Sequence, residues 1–236
     1  MSSIIVIISP AKSLNTSINQ NEITSQLPIQ TIPYFFNESN IIMNILKTLS
    51  IDQVKKLTNA NDNIAKRTYE EYMNFQFYKT ENDYNLNSCT PSSILYDGPA
   101  YRKLDILTLN HDEMLCCQSN IRFLSALYGL LKPFDMIQCY RLEMNSKHIP
   151  SMYSLYDYWK DNNKIVNYLN DEIELNGILL NCASEEYFKV ISLDQLRKIF
   201  RYTILLSCVY IKWVFRYIYT VYIWVLDIFT LYIYGC

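Results

Sequence analysis

A run of β-branched residues near the start of the chain constrains the fold more than any other feature of the sequence. Residues 4–8 are Ile-Ile-Val-Ile-Ile, and Ser9 and Pro10 follow directly. An unbroken apolar run of this length is typical of a strand buried on both faces, as in a parallel or mixed sheet. Residues 177–180, Gly-Ile-Leu-Leu, predict a second strand of the same kind.

Helical patterns lie between these strands. Apolar side chains recur at helical spacing at Ile41, Ile42, Ile45, Leu46 and Leu49. Ser50 and Gln53 form a capping-box start for a second helix. Residues 61–75 predict a third helix.

The second half of the chain adds one ambiguous segment and one capped helix. Residues 121–131 fit either a helix or a strand that enters a loop. Ser154 and Asp157 cap a helix whose apolar side extends as far as Leu169. We therefore predict a single compact α/β domain with a mixed sheet flanked by helices, in which the C-terminal part is atypical.

Composition excludes several common kinds of site. The chain has four glycines in 236 residues, far below the usual ~7%, which excludes a P-loop and a G-x-G-x-x-G dinucleotide loop. His111 and His148 are its two histidines, so H-E-x-x-H zinc chemistry is excluded as well. We expect no metal site and no cofactor. The net charge of −2 means that an anion must be bound by a few placed side chains.

The cysteines and the start of the chain indicate a reducing compartment. Seven cysteines include no C-x-x-C pair, and their number is odd. The start, MSSIIVIISPAKS, lacks the basic region and small-residue cleavage site of a secretory signal. We expect free thiols and a cytoplasmic protein.

Five polar clusters lie at predicted strand ends, where α/β proteins place their chemistry. They are Ser9-Pro10-Ala11-Lys12, LSALYGLLKPFD at 124–135, YRLEM at 140–144, LYDYW at 155–159 and NCASEEYFK at 181–189. In order and spacing they resemble the YaaA family of bacterial peroxide-stress proteins. The pattern of that family runs S-P-A-K, L-S-G-L-Y-G-L-L-R-P-L-D, Y-R-L-E-M, L-Y-x-F-W and N-L-A-S-x-E-Y-F-K. The resemblance covers residues 3 to about 190.

The resemblance implies a fold and a role. Members have a single compact α/β fold in the cytoplasm and limit peroxide damage by keeping free intracellular iron low. They are also described as DNA-binding, with a helix–hairpin–helix-like element and a positively charged cleft. No established catalytic reaction comes with the family.

The chain departs from the family pattern at several positions. Ala126 replaces a glycine, Lys132 an arginine and Cys139 a proline. A lysine keeps the charge of arginine but loses its planar, bidentate reach. The G-D-V-Y segment of the family appears as GPAY at residues 98–101, without its acidic residue. A later K-x-x-R-G motif of the family is missing.

Lys12, Arg141 and Glu143 are the principal candidates for the site. Lys12 follows a buried strand, where its amine can hold a phosphate or act as a nucleophile; the alternative is a solvated surface lysine. Arg141 and Glu143 alternate around Leu142, which places both on one face of an extended segment. Arg141 can grip a phosphate bidentately while Glu143 orients it or acts as a general base. The alternative is a structural ion pair.

The remaining candidates complete a predicted anion-binding cleft. Lys132 and Lys189 add positive charge, and Ser9 stands beside Lys12 in the first cluster. Ser184 opens a predicted helix, whose free N–H groups attract anions; the alternative is a plain N-cap. Tyrosines 128 and 140 can stack on a base, although core packing is the more common use of a tyrosine.

The composition changes sharply from residue 199, where Ile, Tyr, Val and Leu dominate. We predict a family-like domain over 1–198 and a separate hydrophobic tail over 199–236. One interpretation is a membrane anchor through residues 202–226, although Lys212 and Arg216 interrupt that segment. Another is additional core. We favour the third, translation in a shifted frame or through an intron, because AT-rich codons give alternating Tyr and Ile.

Three functional hypotheses follow. The first is a cytoplasmic stress protein whose cleft binds double-stranded DNA or another phosphate-bearing ligand. The second is an enzyme that acts on a nucleoside or nucleotide through Lys12 or Glu143. The third is a truncated, non-functional family member, associated with a membrane if the tail is genuine.

Overall fold

The computed structural model describes residues 2–17, 23, 25–78, 80, 88–197 and 200–203. The strands are β1 (Ser2–Ile8), β2 (Thr90–Pro91), β3 (Ile121–Ser125), β4 (Gly129–Leu131), β5 (Met136–Ile137), β6 (Ile173–Asn181) and β7 (Phe200–Thr203). The helices are α1 (Phe36–Leu46), α2 (Ile51–Thr58), α3 (Asp62–Asn74), α4 (Ser92–Leu95), α5 (Pro99–Leu104), α6 (His111–Asn120), α7 (Leu155–Lys160), α8 (Lys164–Glu172) and α9 (Glu185–Phe188). Short 3-10 helices cover Ile106–Thr108, Asp161–Asn163 and Leu193–Gln195.

The main sheet is mixed, as the sequence predicts. Its strand order is β4-β3-β1-β6-β7, with β1 parallel to both β3 and β6 and with β4 antiparallel to β3. Strand β7 runs parallel to β6 at the other edge. Strands β2 and β5 form a separate antiparallel pair. The carboxyl ends of β1, β3 and β6 therefore lie side by side, along what we call the carboxyl edge of the sheet. Their amino ends lie along the opposite, amino edge.

Strand β1 is buried on both faces, which confirms the interpretation of its apolar run. Ile5 and Ile7 are fully buried and point to one face, while Val6 and Ile8 are buried on the other. The capping box of α2 is also present, because the Ser50 side chain accepts from the Gln53 N–H and the Gln53 side chain accepts from the Ser50 N–H.

The ambiguous segment 121–131 is a β-hairpin rather than a helix. Strands β3 and β4 pair around a tight turn in which Gly129 has φ +69°. A Cβ at this position would lie 2.6 Å from Cζ3 of the buried Trp159. Both the backbone angle and the close ring therefore require glycine.

The helix predicted to extend from Ser154 to Leu169 is in fact two helices. Helix α7 ends at Lys160, and α8 begins at Lys164. Between the two helices, Asn162 has a φ angle of 53° and Asn163 one of 52°. Asparagine tolerates this left-handed conformation, so the chain turns here while Leu155 and Leu169 both remain buried.

Strand β7 lies just after the predicted domain boundary at residue 198. It pairs with β6 from Ile178 opposite Phe200 to Asn181 opposite Thr203. Residues 204–236, which include all but the first two residues of the segment considered as a membrane anchor, lie outside the described residues. In the described part, no helix has the length and apolar character needed to cross a membrane.

Candidate functional site

Ser9 and Ser184 meet where β1 and β6 end. The Ser184 N–H donates to Ser9 Oγ at 2.8 Å, and the Ser9 hydroxyl donates to Ser184 Oγ at 3.2 Å. The Tyr101 hydroxyl donates to the Ser9 carbonyl at 2.9 Å. These bonds fix the start of the loop that carries Lys12.

Lys12, Arg141 and Glu143 form one ion cluster, so the structure brings the three principal candidates together. Lys12 Nζ lies 2.8 Å from Glu143 Oε2, and Arg141 Nη2 lies 3.8 Å from Glu143 Oε1. The Lys12 side chain is 63% exposed, whereas Glu143 is 19% and Arg141 26% exposed. The amine therefore faces solvent while its carboxylate partner is held mostly inside.

The Arg141 guanidinium is incompletely satisfied. Its Nε is buried and has no hydrogen-bond partner within the described part of the chain. Its backbone carbonyl accepts from the buried Tyr72 hydroxyl, which fixes the main chain at this point. Glu71 approaches from α3 and pairs with Arg67 at 2.9 Å. Burial raises the pKa of Glu71, while Arg67 and then Arg141 counteract that rise.

Two clefts that share Lys12 and Arg141 form what we call the Lys12 groove. The first, of about 310 Å3, has α3 as one wall, and the second, of about 380 Å3, has the end of α2 as a wall. Its cationic side chains are Lys12, Lys56, Arg67, Arg141 and Lys147, against the carboxylates Glu71 and Glu143. The groove is therefore locally positive in a chain whose net charge is −2.

Sequence reasoning missed Lys56, Arg67 and Lys147. Lys56 and Arg67 lie on α2 and α3, which a short turn at Asn59 joins, and they approach Arg141 only through the tertiary fold. Lys147 could have been predicted, because it lies shortly after the YRLEM motif and is therefore close in sequence to Arg141.

A third cleft adjoins the groove on the other side of Lys12. It measures about 420 Å3 and lies between the loop at 8–13 and the start of α5. Gly98 lets these two segments approach, because a Cβ there would lie 3.0 Å from the Ala11 Cβ. Cys182 also lines this cleft, and burial raises the pKa of its thiol to about 11.

Lys132 and Lys189, two candidates from the sequence, do not line the Lys12 groove. Lys132 pairs at 3.2 Å with Glu172, the residue directly before β6 begins, because β4 runs antiparallel and carries it away from the carboxyl ends. Lys189 is exposed and pairs with Glu185 at 3.3 Å. Their predicted role in anion binding stays a prediction.

Lys132 belongs to what we call the amino-edge cluster, whose members are Arg122, Lys132, Asp135, Tyr168 and Glu172. Asp135 is buried, and its oxygens accept from the Thr31 hydroxyl at 2.6 Å and the Lys132 N–H at 2.7 Å. Burial raises the pKa of this carboxyl to about 6, although both hydrogen bonds oppose the rise.

Tyr128 and Tyr140 are buried. The Tyr140 hydroxyl bonds with those of Tyr96 at 2.6 Å and Ser125 at 2.7 Å, and burial raises its pKa to about 12. Tyr128 is fully buried and accepts from the Gln138 N–H. Of the two, Tyr140 also lines the Lys12 groove.

Metal-ligating side chains do not converge in the described residues. No group of three or more His, Cys, Asp or Glu residues there is placed to hold a metal ion. The described cysteines 89, 116, 117, 139 and 182 have free thiols.

Comparison with known proteins agrees with the five motifs of the sequence. The family model described as peroxide stress protein YaaA matches residues 4–213. A UPF0246 protein of Flavobacterium psychrophilum is 31% identical over 196 residues, which are 81% of this chain and 72% of that protein. A UPF0246 protein of Dinoroseobacter shibae is 31% identical over 195 residues, covering 81% and 68%. The chain therefore belongs to the family of the peroxide stress protein YaaA.

Proposed function

We propose that this protein acts in the response to hydrogen peroxide by binding double-stranded DNA through the Lys12 groove. The family description supports the role in peroxide stress. The five cations of the groove support a polyanionic ligand, since phosphate contacts supply most of the affinity of proteins for DNA.

The observation that carries the proposal is the state of Arg141. A guanidinium has five N–H donors in a fixed fork. Within the described residues, this one has a single carboxylate contact at 3.8 Å and a buried Nε without a partner. Leaving a buried donor unsatisfied costs about 1–3 kcal/mol. A phosphate that approaches Arg141 from the cleft would accept charge-assisted hydrogen bonds from the exposed part of the guanidinium, which the 3.8 Å contact with Glu143 does not supply.

The helices that line the groove fit a duplex ligand. Helix α2 ends at Thr58 and α3 begins at Asp62, so a three-residue turn joins them, with Asn59 in the left-handed conformation. This hairpin of helices is our candidate for the helix–hairpin–helix-like element that the family resemblance implies. It brings Lys56 and Arg67 to the groove from two helices, which allows contacts to phosphates on either side of the turn.

Under this proposal the protein acts in the cytoplasm and limits iron-dependent damage to DNA without binding iron. A protein that occupies DNA shields it from oxidants that iron and peroxide generate together, and so limits damage without holding iron. The free thiols of the described cysteines are consistent with a reducing compartment.

The test is the salt dependence of binding to a fluorescent duplex, followed by anisotropy. The logarithm of the affinity should fall linearly with the logarithm of salt, with a slope of about −3 to −4 for four phosphate contacts. Arg141→Ala should make the slope less negative by about one unit. Arg197→Ala is the matched control, because Arg197 is exposed, pairs with Asp171 and does not line the groove. A flat salt response of the wild type would overturn the proposal.

A further inference from the structure

We propose that Lys12 forms a covalent imine with the aldehyde of an abasic deoxyribose in DNA, and that the imine leads to cleavage of the strand by β-elimination. This inference rests on the proposed function, because the DNA must first occupy the Lys12 groove. It adds a reaction and a substrate class, a sugar aldehyde, to a groove otherwise described only as a binding site.

The position of Lys12 is the first argument. Lys12 lines all three clefts, so this residue lies where the cationic groove meets the third cleft. If the groove holds the phosphates, a nucleotide turned out of the stack would enter the third cleft. In a nucleotide the sugar lies between phosphate and base, so the Lys12 amine is placed beside the sugar.

The third cleft has the character of a site for such a nucleotide. Pro10, Ala11, Pro99 and Tyr101 give it apolar walls, and Arg102 pairs with Asp97 at 3.2 Å at its edge. Its volume of about 420 Å3 falls within the ~300–1,000 Å3 typical of small-molecule sites. Turning a nucleotide out of the duplex costs least where the base is damaged or missing.

Glu143 supplies the proton acceptor that an amine nucleophile needs. The amine attacks only in its neutral form, and Glu143 Oε2 lies 2.8 Å from Lys12 Nζ, within reach for direct transfer. The carboxylate is held by contacts on both oxygens, since Arg141 approaches Oε1. The Glu143 N–H also donates to Ser146 Oγ at 3.2 Å, which fixes the segment.

The reaction balances without an oxidant or a cofactor. The Lys12 ammonium passes a proton to Glu143, and the free amine attacks C1′ of the ring-opened aldehyde to form a carbinolamine. Glu143 returns the proton to the carbinolamine hydroxyl, which leaves as water, and a protonated imine results. The carboxylate then removes a proton from C2′, the C2′–C3′ double bond forms, and the C3′–O bond breaks to release the phosphate. Water hydrolyses the imine and frees Lys12.

The experiment traps the imine with sodium borohydride. The full chain is mixed with a duplex oligonucleotide that carries one abasic site, reduced, and analysed on a denaturing gel and by peptide mass. We expect one protein–DNA adduct, located at Lys12. Lys12→Ala and Lys12→Arg should each lose at least about tenfold in adduct, and Glu143→Gln should slow its formation by ~100-fold or more.

Lys55→Ala is the matched control, because Lys55 is also exposed and pairs with a carboxylate, Asp62 at 2.5 Å, yet lies outside the three clefts. It should form adduct at the wild-type rate. Free ribose 5-phosphate, tested at the same concentration, should give far less adduct than the abasic duplex; an equal yield would overturn the assignment to DNA.

Binding to intact duplex, measured on the same preparations, separates this inference from the proposed function. Wild-type protein that binds intact duplex but gives no adduct, or gives it equally at Lys55 and Lys12, overturns the imine and leaves the proposed function standing. Wild-type protein that does not bind the duplex overturns both.

Discussion

The Lys12 groove and the amino-edge cluster lie at opposite edges of one sheet and differ in how completely their charges are satisfied. In the amino-edge cluster, Arg122 donates to the Tyr168 hydroxyl at 3.1 Å and to the carbonyls of Gln118 and Ile121, and it pairs with Glu172. In the Lys12 groove, Arg141 has one carboxylate contact at 3.8 Å, and its Nε has no partner among the described residues.

The comparison shows which of the two arginines has hydrogen-bond donors left for a ligand. The Arg122 side chain is 1% exposed and its donors are used within the protein, so the cluster around it is a structural element. The Arg141 side chain is 26% exposed at a cleft, and its fork is open to an anion. A charged side chain therefore indicates a ligand-binding site when it lines a cavity and its hydrogen-bond donors lack partners within the protein, and not by its charge alone.

The largest effect that tests this contrast is on stability. Arg122→Ala should lower the free energy of unfolding by about 3 kcal/mol, because it leaves the carbonyls of Gln118 and Ile121 without their donor and leaves Glu172 paired with Lys132 alone. Arg141→Ala should lower it by less than about 1 kcal/mol, as expected for a partly exposed ion pair. Urea denaturation of both variants measures the difference. Equal losses would show that the two arginines have the same role.

A smaller effect concerns the pH dependence of stability. Burial raises the folded-state pKa of Asp135 to about 6 from an ordinary value of 3.8. The folded state therefore holds this proton more tightly than the unfolded state does. The contribution of Asp135 to stability should increase by roughly 1–3 kcal/mol as the pH falls from 7 to 4.

Asp135→Asn should remove that gain, so the difference in unfolding free energy between wild type and variant should depend on pH over this range. Leu175→Ala serves as the control and should keep the wild-type slope, because this exposed, uncharged side chain leaves Asp135 and its partners unchanged. A wild-type minus Asp135→Asn difference that stays constant between pH 4 and 7 would contradict the raised pKa.

Much of the fold was predictable because its signals are local. The run at 4–8 and the box formed by Ser50 and Gln53 depend on neighbours in sequence, and both are present as predicted. The break between α7 and α8 was not predicted, because the helical spacing of apolar residues continues across it. The positive φ angles of Asn162 and Asn163 that end the first helix leave no mark in that spacing. The hairpin at 121–131 remained ambiguous in sequence for another reason, since a short apolar run fits both the helical and the strand spacing.

The candidate site was predictable only in part. The sequence placed Lys12, Arg141 and Glu143 at strand ends, and the structure joins them. Lys56 and Arg67 come from helices whose approach to Arg141 depends on tertiary packing, so no spacing revealed them. The sequence grouped Lys132 with Lys12, but the antiparallel direction of β4 takes it to the amino edge.

Lysine acetylation of the wild-type protein, with and without duplex DNA, tests the central claim most directly because it compares both edges in one sample. Mass spectrometry would follow the exposed amines of Lys12, Lys56 and Lys147 in the groove, the exposed amine of Lys189 outside it and the partly buried amine of Lys132 in the amino-edge cluster. The account predicts that DNA protects the first three and leaves the other two unchanged. Protection of Lys132 and Lys189 with full reactivity at Lys12 would contradict it.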